Sequence, residues 1–145
     1  MARYTTSIRC PLSPVDAFAR VGDLANLADW DPGVTAATQV VGDGPGPDAV
    51  YEVTLSSASM TLRYETTEFS GPRSVTYRAK ASWFTSIDTI AVVPTAEGSI
   101  VTYAARLRLP LLLRLGDPVL GLVFRRVGDR AAAGLRTALE GEFVS

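Results

Sequence analysis

The sequence predicts an α+β domain in which an antiparallel sheet of about seven strands packs against a long C-terminal helix. Residues 34–109 repeat with a period of two, which is typical of strands. Short turns separate these segments, and this favours antiparallel pairing because parallel pairs need long crossovers. An apolar stripe at helical spacing then occupies the end of the chain. The 145 residues suit one domain over 1–145.

The first part of the chain predicts one strand and two short helices. Tyr4–Cys10 alternates in polarity and is followed by a proline, so we expect a strand there. Ser13 precedes a proline at the first helical position, and this pair predicts a helix over Pro14–Arg20. Asp23 can cap a second helix over Leu24–Asp29. Both helices therefore lie between the first strand and the period-two region.

Six further strands and one long helix complete the prediction. The strands are expected at Val34–Val41, Ala49–Ser56, Met60–Phe69, Ser74–Ala81, Thr85–Val93 and Ile100–Leu109. The helix is expected to begin at the cap-and-proline pair Asp117-Pro118 and to run for about 23 residues, to about Gly141. Its apolar stripe contains Leu120, Val123, Val127, Ala131, Leu135 and Ala138. Only this element is long enough to cover one face of the sheet, so we expect the core between the two.

Composition excludes several functional classes. The formal net charge of -1 argues against a nucleic-acid partner, since binders of nucleic acid normally carry a basic excess. The chain has no histidine, so a Ser-His-Asp triad and a histidine base are impossible. Cys10 is the one cysteine, which excludes an intramolecular disulfide and the usual zinc sites. We predict no metal and no cofactor.

Hydropathy predicts no stable membrane insertion. The longest apolar stretches, Pro110–Leu113 and Val119–Phe124, are far shorter than the ~20 residues that cross a bilayer. The first ten residues hold no run that resembles a signal peptide, so we expect a cytoplasmic protein. The run over 111–124, with its arginines, either touches a membrane surface during ligand exchange or covers the sheet. The second interpretation is favoured because the sheet needs this cover.

Several local strings carry a resemblance to a known family. They are Ser13–Phe18, Asp23–Asn26, Trp30–Val34, Gly46–Tyr51, Leu62–Glu65, Gly98–Tyr103, Asp117–Pro118 and Gly134–Arg136. With the element order, they resemble the START-like helix-grip (SRPBCC) superfamily, and specifically its polyketide cyclase/dehydrase and lipid-transport branch. The resemblance covers nearly the whole chain.

The resemblance implies a helix-grip fold, in which a curved sheet wraps around the long helix and leaves a cavity between them. The cavity would open near the loop Gly42–Pro47, which serves as a gate or as a plain hairpin loop, and near the start of the helix. It implies an apolar ligand such as a lipid, a sterol-like molecule, a polyketide or an aromatic metabolite. Members act as carriers, cyclases, aromatases or partner-binding modules, and we expect a monomer or a homodimer.

Alternation along four strands predicts which side chains face the proposed cavity. Apolar residues and tyrosines fall on one side of each strand, and charged residues fall on the other. With stripe residues of the long helix and one tryptophan, the predicted ligand contacts are Tyr51, Val53, Leu62, Tyr64, Tyr77, Trp83, Tyr103, Leu107, Val123 and Val127. Each tyrosine hydroxyl either orients a ligand carbonyl or belongs to an ordinary core residue.

The strand Thr85–Val93 leaves its orientation open. Either Asp88, Ile90 and Val92 face inward, or Ile87, Thr89, Ala91 and Val93 do. An inward Asp88 would lose solvation, which raises the pKa of its carboxyl and suits a general base. An outward Asp88 would be an ordinary surface charge. The candidate catalytic residues are therefore Asp88, Tyr64 and Tyr103.

The other acidic residues have structural explanations. Glu52 and Glu65 fall on the outer side, where ion pairing with neighbouring arginines accounts for them. Asp29 and Asp31 flank Trp30 at a helix end, where capping and turn roles suffice, and Trp30 is expected to plug the end of the sheet. Three functions compete: binding of a hydrophobic small molecule, cyclisation of a bound polyketide, and docking on a partner protein as a regulatory module.

Overall fold

The computed structural model describes residues 2–56, 60–82, 84–109 and 118–144, and it has the predicted α+β architecture. The strands are β1 Ala2–Cys10, β2 Val34–Val41, β3 Val50–Leu55, β4 Thr61–Ser70, β5 Ser74–Lys80, β6 Thr85–Pro94, β7 Ser99–Arg108 and β8 Glu142–Phe143. They form one antiparallel sheet in the order β2-β3-β4-β5-β6-β7-β1-β8. The seven predicted strands are confirmed to within two residues at each end.

The helices also follow the prediction, with one difference. They are α1 Pro14–Val21, a short 3-10 helix Leu24–Asn26, α2 Leu27–Trp30 and α3 Pro118–Leu139. The N-caps predicted at Ser13 and Asp23 are present, because their side chains accept backbone N–H groups at 3.2 and 3.0 Å. The cap predicted at Asp117 lies outside the described residues. The single helix expected over Leu24–Asp29 is divided in two, since Asn26 leaves the helical region at φ -94° and ψ 1°.

The two edges of the sheet are irregular. At one edge, the pairing of β2 with β3 shifts register twice, between Val34 and Ala36 and between Gln39 and Val41. At the other edge, β8 was not predicted, because two residues are too few to show alternation. It pairs only with Ile8 and Arg9 of β1. At each edge of the sheet, therefore, only a short stretch of backbone pairing is regular.

The core lies between one face of the sheet and the helices. We call this the inner face; it carries Tyr51, Tyr64, Tyr77 and Tyr103. It packs against buried residues of α1, α2 and α3. Within the part that the structure describes, no helix is long and apolar enough to cross a membrane.

The packing of α3 corrects the predicted stripe. Ala131 and Leu135 are buried as expected, and Leu139 is buried too. Val123 and Val127, however, are 51% and 53% exposed, so they are not part of the buried stripe. The physical reason is that no position from Leu122 to Val127 is buried, so this stretch of the helix is not covered on any side. Burial begins at Gly128, which lets the helix approach the ring of Tyr4, and it continues through Ala132 and Leu139.

The two most buried tyrosines allow a prediction about stability. The Tyr77 hydroxyl donates a hydrogen bond to the buried Gly22 carbonyl at 2.6 Å. Tyr77→Phe should lower the free energy of unfolding by about 1 to 2 kcal/mol, because it leaves that carbonyl without a donor. Urea denaturation measures the change. Tyr51→Phe is the matched control, since Tyr51 is equally buried and its hydroxyl, although near Asp23 and Tyr77, makes no hydrogen bond within 3.5 Å in the described part of the chain. Equal losses for both variants would contradict this account.

One close approach fixes α3 against α2. A Cβ atom added at Gly134 would overlap the backbone carbonyl of Trp30. Nearby, the Arg20 guanidinium of α1 donates to the Ala138 carbonyl of α3 at 2.8 Å. The C-terminal half of α3 is therefore held by contacts with both α1 and α2.

Candidate functional site

The pairing of β6 settles the orientation that its sequence left open. Asp88 lies opposite Tyr77 of β5 and opposite Ala105 of β7. Tyr77 is on the inner face, and residues directly opposite each other in a sheet share a face. Asp88 therefore faces inward together with Ile90 and Val92, which is the first of the two predicted alternatives.

Two hydroxyl groups hold the Asp88 carboxyl. Ser86 donates to Oδ1 at 3.0 Å, and Tyr103 donates to Oδ2 at 3.4 Å. The pKa of Asp88 is raised from 3.8 to about 6, mainly by burial and to a smaller extent by the negative charge of Asp31, although the two hydrogen bonds act to lower it. This carboxyl therefore changes protonation state close to neutral pH.

The neighbouring tyrosines remain protonated. Tyr64 lies on the inner face, separated from Ser86 by Ala79 in the strand pairing. Burial raises the pKa of Tyr64 and Tyr103 well above 10, and the negative charge of Asp88 adds to both shifts. Their hydroxyls therefore act as hydrogen-bond donors and not as phenolates. We call Tyr64, Ser86, Asp88 and Tyr103 the Asp88 cluster.

Two residues from the end of α2 lie beside this cluster. The Trp30 ring stands edge-on to the Tyr103 ring, with centroids 6.1 Å apart. Its Nε1 group is buried and has no hydrogen-bond partner in the described part of the chain. Asp31 accepts the Gly33 N–H at 2.8 Å, as the turn role predicts. Burial raises the pKa of Asp31, and its charge raises those of Tyr64 and Tyr103 as well as that of Asp88.

The other predicted ligand contacts lie outside the Asp88 cluster. Tyr51, Val53 and Tyr77 are at most 1% exposed, and the Tyr77 hydroxyl is used by a backbone carbonyl. This is the core role considered for the tyrosines. Leu62 is also buried, and Leu107 faces inward opposite Ser86.

Three predicted contacts lie elsewhere. Trp83 falls outside the described residues. Val123 and Val127 lie in the exposed stretch of α3. The roles of all ten residues as ligand contacts stay predictions.

Two open grooves run between α1, α2 and α3. Their volumes are about 550 and 600 Å³, and both are lined by Asp29, Trp30 and Ala138. Trp30 also contacts Tyr103, so this residue connects the lining of both grooves with the Asp88 cluster. Because Tyr103 lies in the middle of β7, this contact does not test the expected plug at the end of the sheet, which stays a prediction.

The arrangement suits hydrogen bonding and proton transfer. Among the described residues, no group of three or more cysteine, aspartate or glutamate side chains is placed to hold a metal ion. The Asp88 cluster offers one carboxyl that can accept hydrogen bonds or a proton, with two tyrosine hydroxyls beside it. The influence of Asp31 on Asp88 has no signal in the sequence, because 57 positions separate the two residues in the chain (88 − 31).

Residues 1–140 match a protein family described as polyketide cyclase / dehydrase and lipid transport. No curated protein is detectably similar in sequence. The match extends from β1 through the whole of α3, so it includes every residue of the Asp88 cluster.

Several solved structures share the fold. A START superfamily protein from Mycobacterium smegmatis aligns with a TM-score of 0.77 at 10% identity, over 97% of this chain and 98% of that one. XoxI from Bacillus cereus aligns at 0.70 and 22% identity, over 96% of each chain. The di-domain ARO/CYC StfQ from the steffimycin biosynthetic pathway aligns at 0.73 and 14% identity, over 96% of this chain and 50% of that one.

Proposed function

Because the chain belongs to the polyketide cyclase/dehydrase and lipid transport family, we propose that it binds a hydrophobic small molecule between the inner face of the sheet and α3. The molecule is a lipid, a polyketide or an aromatic metabolite. In this proposal the Asp88 cluster fixes the orientation of the ligand. Small-molecule sites commonly combine an apolar lining with a few polar groups of this kind.

The composition of the inner face carries the proposal. Along the described parts of β1 to β7, strand pairing directs apolar side chains, tyrosines and small hydroxyls inward. It directs basic side chains outward, including Arg63, Arg78 and Arg106. Such a face favours contact with an apolar molecule, and a single carboxyl on it gives that molecule a preferred orientation.

Ligand capture tests the proposal. We expect native mass spectrometry of the full chain, purified from its own cells, to detect a bound apolar molecule. We also expect some members of a library of uncharged lipids and aromatic compounds to raise the melting temperature in a concentration-dependent way, as mass action requires. If no molecule co-purifies and no compound in the library stabilises the chain, the proposal is wrong.

A matched pair of variants tests whether the ligand binds at the Asp88 cluster. Tyr103→Phe removes a hydroxyl that holds Asp88 and should weaken binding of the captured ligand about threefold to tenfold, the usual range for one hydrogen bond. Glu65→Gln changes an exposed outer-face carboxylate, whose nearest cation is Arg63 at 3.9 Å, and should leave binding unchanged. Equal effects of the two variants would argue for a ligand elsewhere.

A cyclase is the second candidate, and the protonation behaviour of Asp88 favours it. A carboxyl with a pKa of about 6 is suited to general base catalysis near neutral pH. Asp88 would take a proton from a methylene between two ketones, and the resulting enolate carbon would bond to a carbonyl carbon of the same polyketide. That proton would then return to the new alkoxide, which the Tyr64 and Tyr103 hydroxyls would stabilise. The StfQ similarity agrees with this chemistry.

Kinetics separate the two candidates. With a poly-β-ketone substrate, a cyclase loses kcat in Asp88→Asn while the dissociation constant changes little. A carrier forms no cyclised product, and the same variant affects binding alone.

A further inference from the structure

The charge on the inner face is of one sign. Among the described residues of β1 to β7, Asp88 is the only charged side chain that strand pairing directs inward. Asp31 adds a second carboxyl from the end of α2, and its charge acts on Asp88, Tyr64 and Tyr103 alike. The described residues therefore give the Asp88 cluster a negative potential.

No cation of the described chain neutralises this potential at short range. Within those residues, the ion pairs shorter than 4.0 Å join Arg20 to Glu140 and Arg63 to Glu65. Arg130 lines the same groove as Asp31 but forms no such pair with it. Within the described part of the chain, the carboxyl of Asp88 is thus held by neutral hydroxyls alone.

The described residues use half of the hydrogen-bonding capacity of Asp88. An ionised carboxylate has about four lone-pair positions. Ser86 and Tyr103 occupy one on each oxygen. The remaining positions can accept from a donor that a ligand brings.

Aromatic rings stand beside the same carboxyl. The Tyr103 hydroxyl contacts Asp88, and the Trp30 ring packs edge-on against the Tyr103 ring. Tyr64 lies on the inner face of β4, and one strand, β5, separates it from Ser86 on β6. The faces of such rings attract cations, most strongly where water is excluded. An anionic ligand would instead meet two carboxylates, which costs free energy through like-charge repulsion.

We infer that the ligand of the proposed site is a protonated amine carried on an apolar, aromatic-sized body, with its ammonium group on Asp88. The inference rests on the proposed function and names the class of molecule that the same site selects. The ammonium group supplies the missing positive charge and donates to the unused lone pairs of Asp88, while the apolar body occupies the inner face.

Three probes that share one ring system test the inference. They are 1-naphthylmethylamine, 1-naphthalenemethanol and 1-naphthoate, which differ in charge and little in shape. Calorimetric titration of the full chain at neutral pH should give at least about tenfold tighter binding for the amine than for the alcohol, the usual gain from a charged hydrogen bond. The carboxylate should bind more weakly than either.

Variants then connect the preference to Asp88. Asp88→Asn should weaken amine binding about tenfold and change alcohol binding less than about twofold. Glu65→Gln, which removes a carboxylate from the outer face, should change neither. A melting curve for each variant establishes that it is folded.

The outcomes separate this inference from the proposed function. If the alcohol binds as tightly as the amine, or if Asp88→Asn weakens both equally, the amine inference is wrong and the proposed function stands. If no naphthalene probe binds although compounds of the uncharged library do, the inference again fails alone. If neither the probes nor the library bind, the proposed function fails with it.

Discussion

Gly134→Ala is expected to lower the free energy of unfolding by about 2 to 3 kcal/mol, near the upper end of the range for overpacking. The added Cβ would overlap the Trp30 carbonyl, which is backbone and cannot rotate away. The helices α2 and α3 would have to separate. In a free helix the same change is stabilising by about 1 kcal/mol, because alanine is the better helix former. The sign of the result therefore reports the contact between the helices.

Thermal and urea denaturation measure this effect. For a chain of 145 residues, a loss of this size corresponds to a fall in Tm of roughly 4 to 12 °C. Gly46→Ala is the control, since no atom lies within 4 Å of a Cβ added there. Its stability should change by less than about 0.5 kcal/mol. An unchanged or raised Tm for Gly134→Ala would contradict the close approach of α3 to α2.

Asp88→Asn should become more stabilising, relative to the unmodified chain, as the pH rises. The folded-state pKa of Asp88 is about 6, above the ordinary value of 3.8. A group with a raised pKa contributes stability that is fully present below its unfolded pKa and is lost as the pH rises through the folded one. Each pKa unit corresponds to about 1.4 kcal/mol, so the loss is at most about 3 kcal/mol. Asparagine does not ionise, so the variant does not lose this stability as the pH rises.

The measurement is the difference in unfolding free energy between Asp88→Asn and the unmodified chain, from about pH 4 to about pH 8. We expect this difference to grow in favour of the variant, mainly between about pH 4 and about pH 7. Asp31 also has a raised pKa, but it is present in both chains, so most of its contribution cancels. Glu65→Gln provides the same chemical change on an exposed side chain. A difference that is flat over this range would show that Asp88 titrates as an ordinary surface carboxyl.

Local chemistry made much of the fold predictable from the sequence. Ser13 and Asp23 are N-caps because their side chains can accept backbone N–H groups, and both do so. The strand Val34–Val41 was predicted with the bounds that it has, since turn residues flank it on both sides. These signals depend only on neighbours in the chain.

The face of α3 could not be predicted in the same way. Val123 and Val127 continue the spacing of Ala131 and Leu135, yet they are half exposed. Glycine carries no hydropathy signal, so the approach of Gly128 to Tyr4 is invisible in an apolar pattern. Which side of a helix meets the sheet depends on such contacts between distant segments.

The site could be predicted only in part, because its geometry also depends on contacts between distant segments of the chain. Both faces of β6 carry apolar residues, so the alternation of polarity does not show which face Asp88 is on. Its pairing with Tyr77 and Ala105 in the folded sheet places it on the inner face. The contact of Trp30 with Tyr103 joins elements far apart in the chain. Residue types identified the candidates, whereas the fold brought them together.

The irregular edges of the sheet bear on how the protein behaves at high concentration. An open sheet can recruit a strand from another molecule wherever a straight, unpaired edge is available. Here the two register shifts of β2 interrupt one edge, and β8 occupies part of the other. Bulges and short edge strands are devices that hinder such intermolecular strand addition. The same irregularities that shorten the ladder thus protect the folded chain against aggregation through its edges.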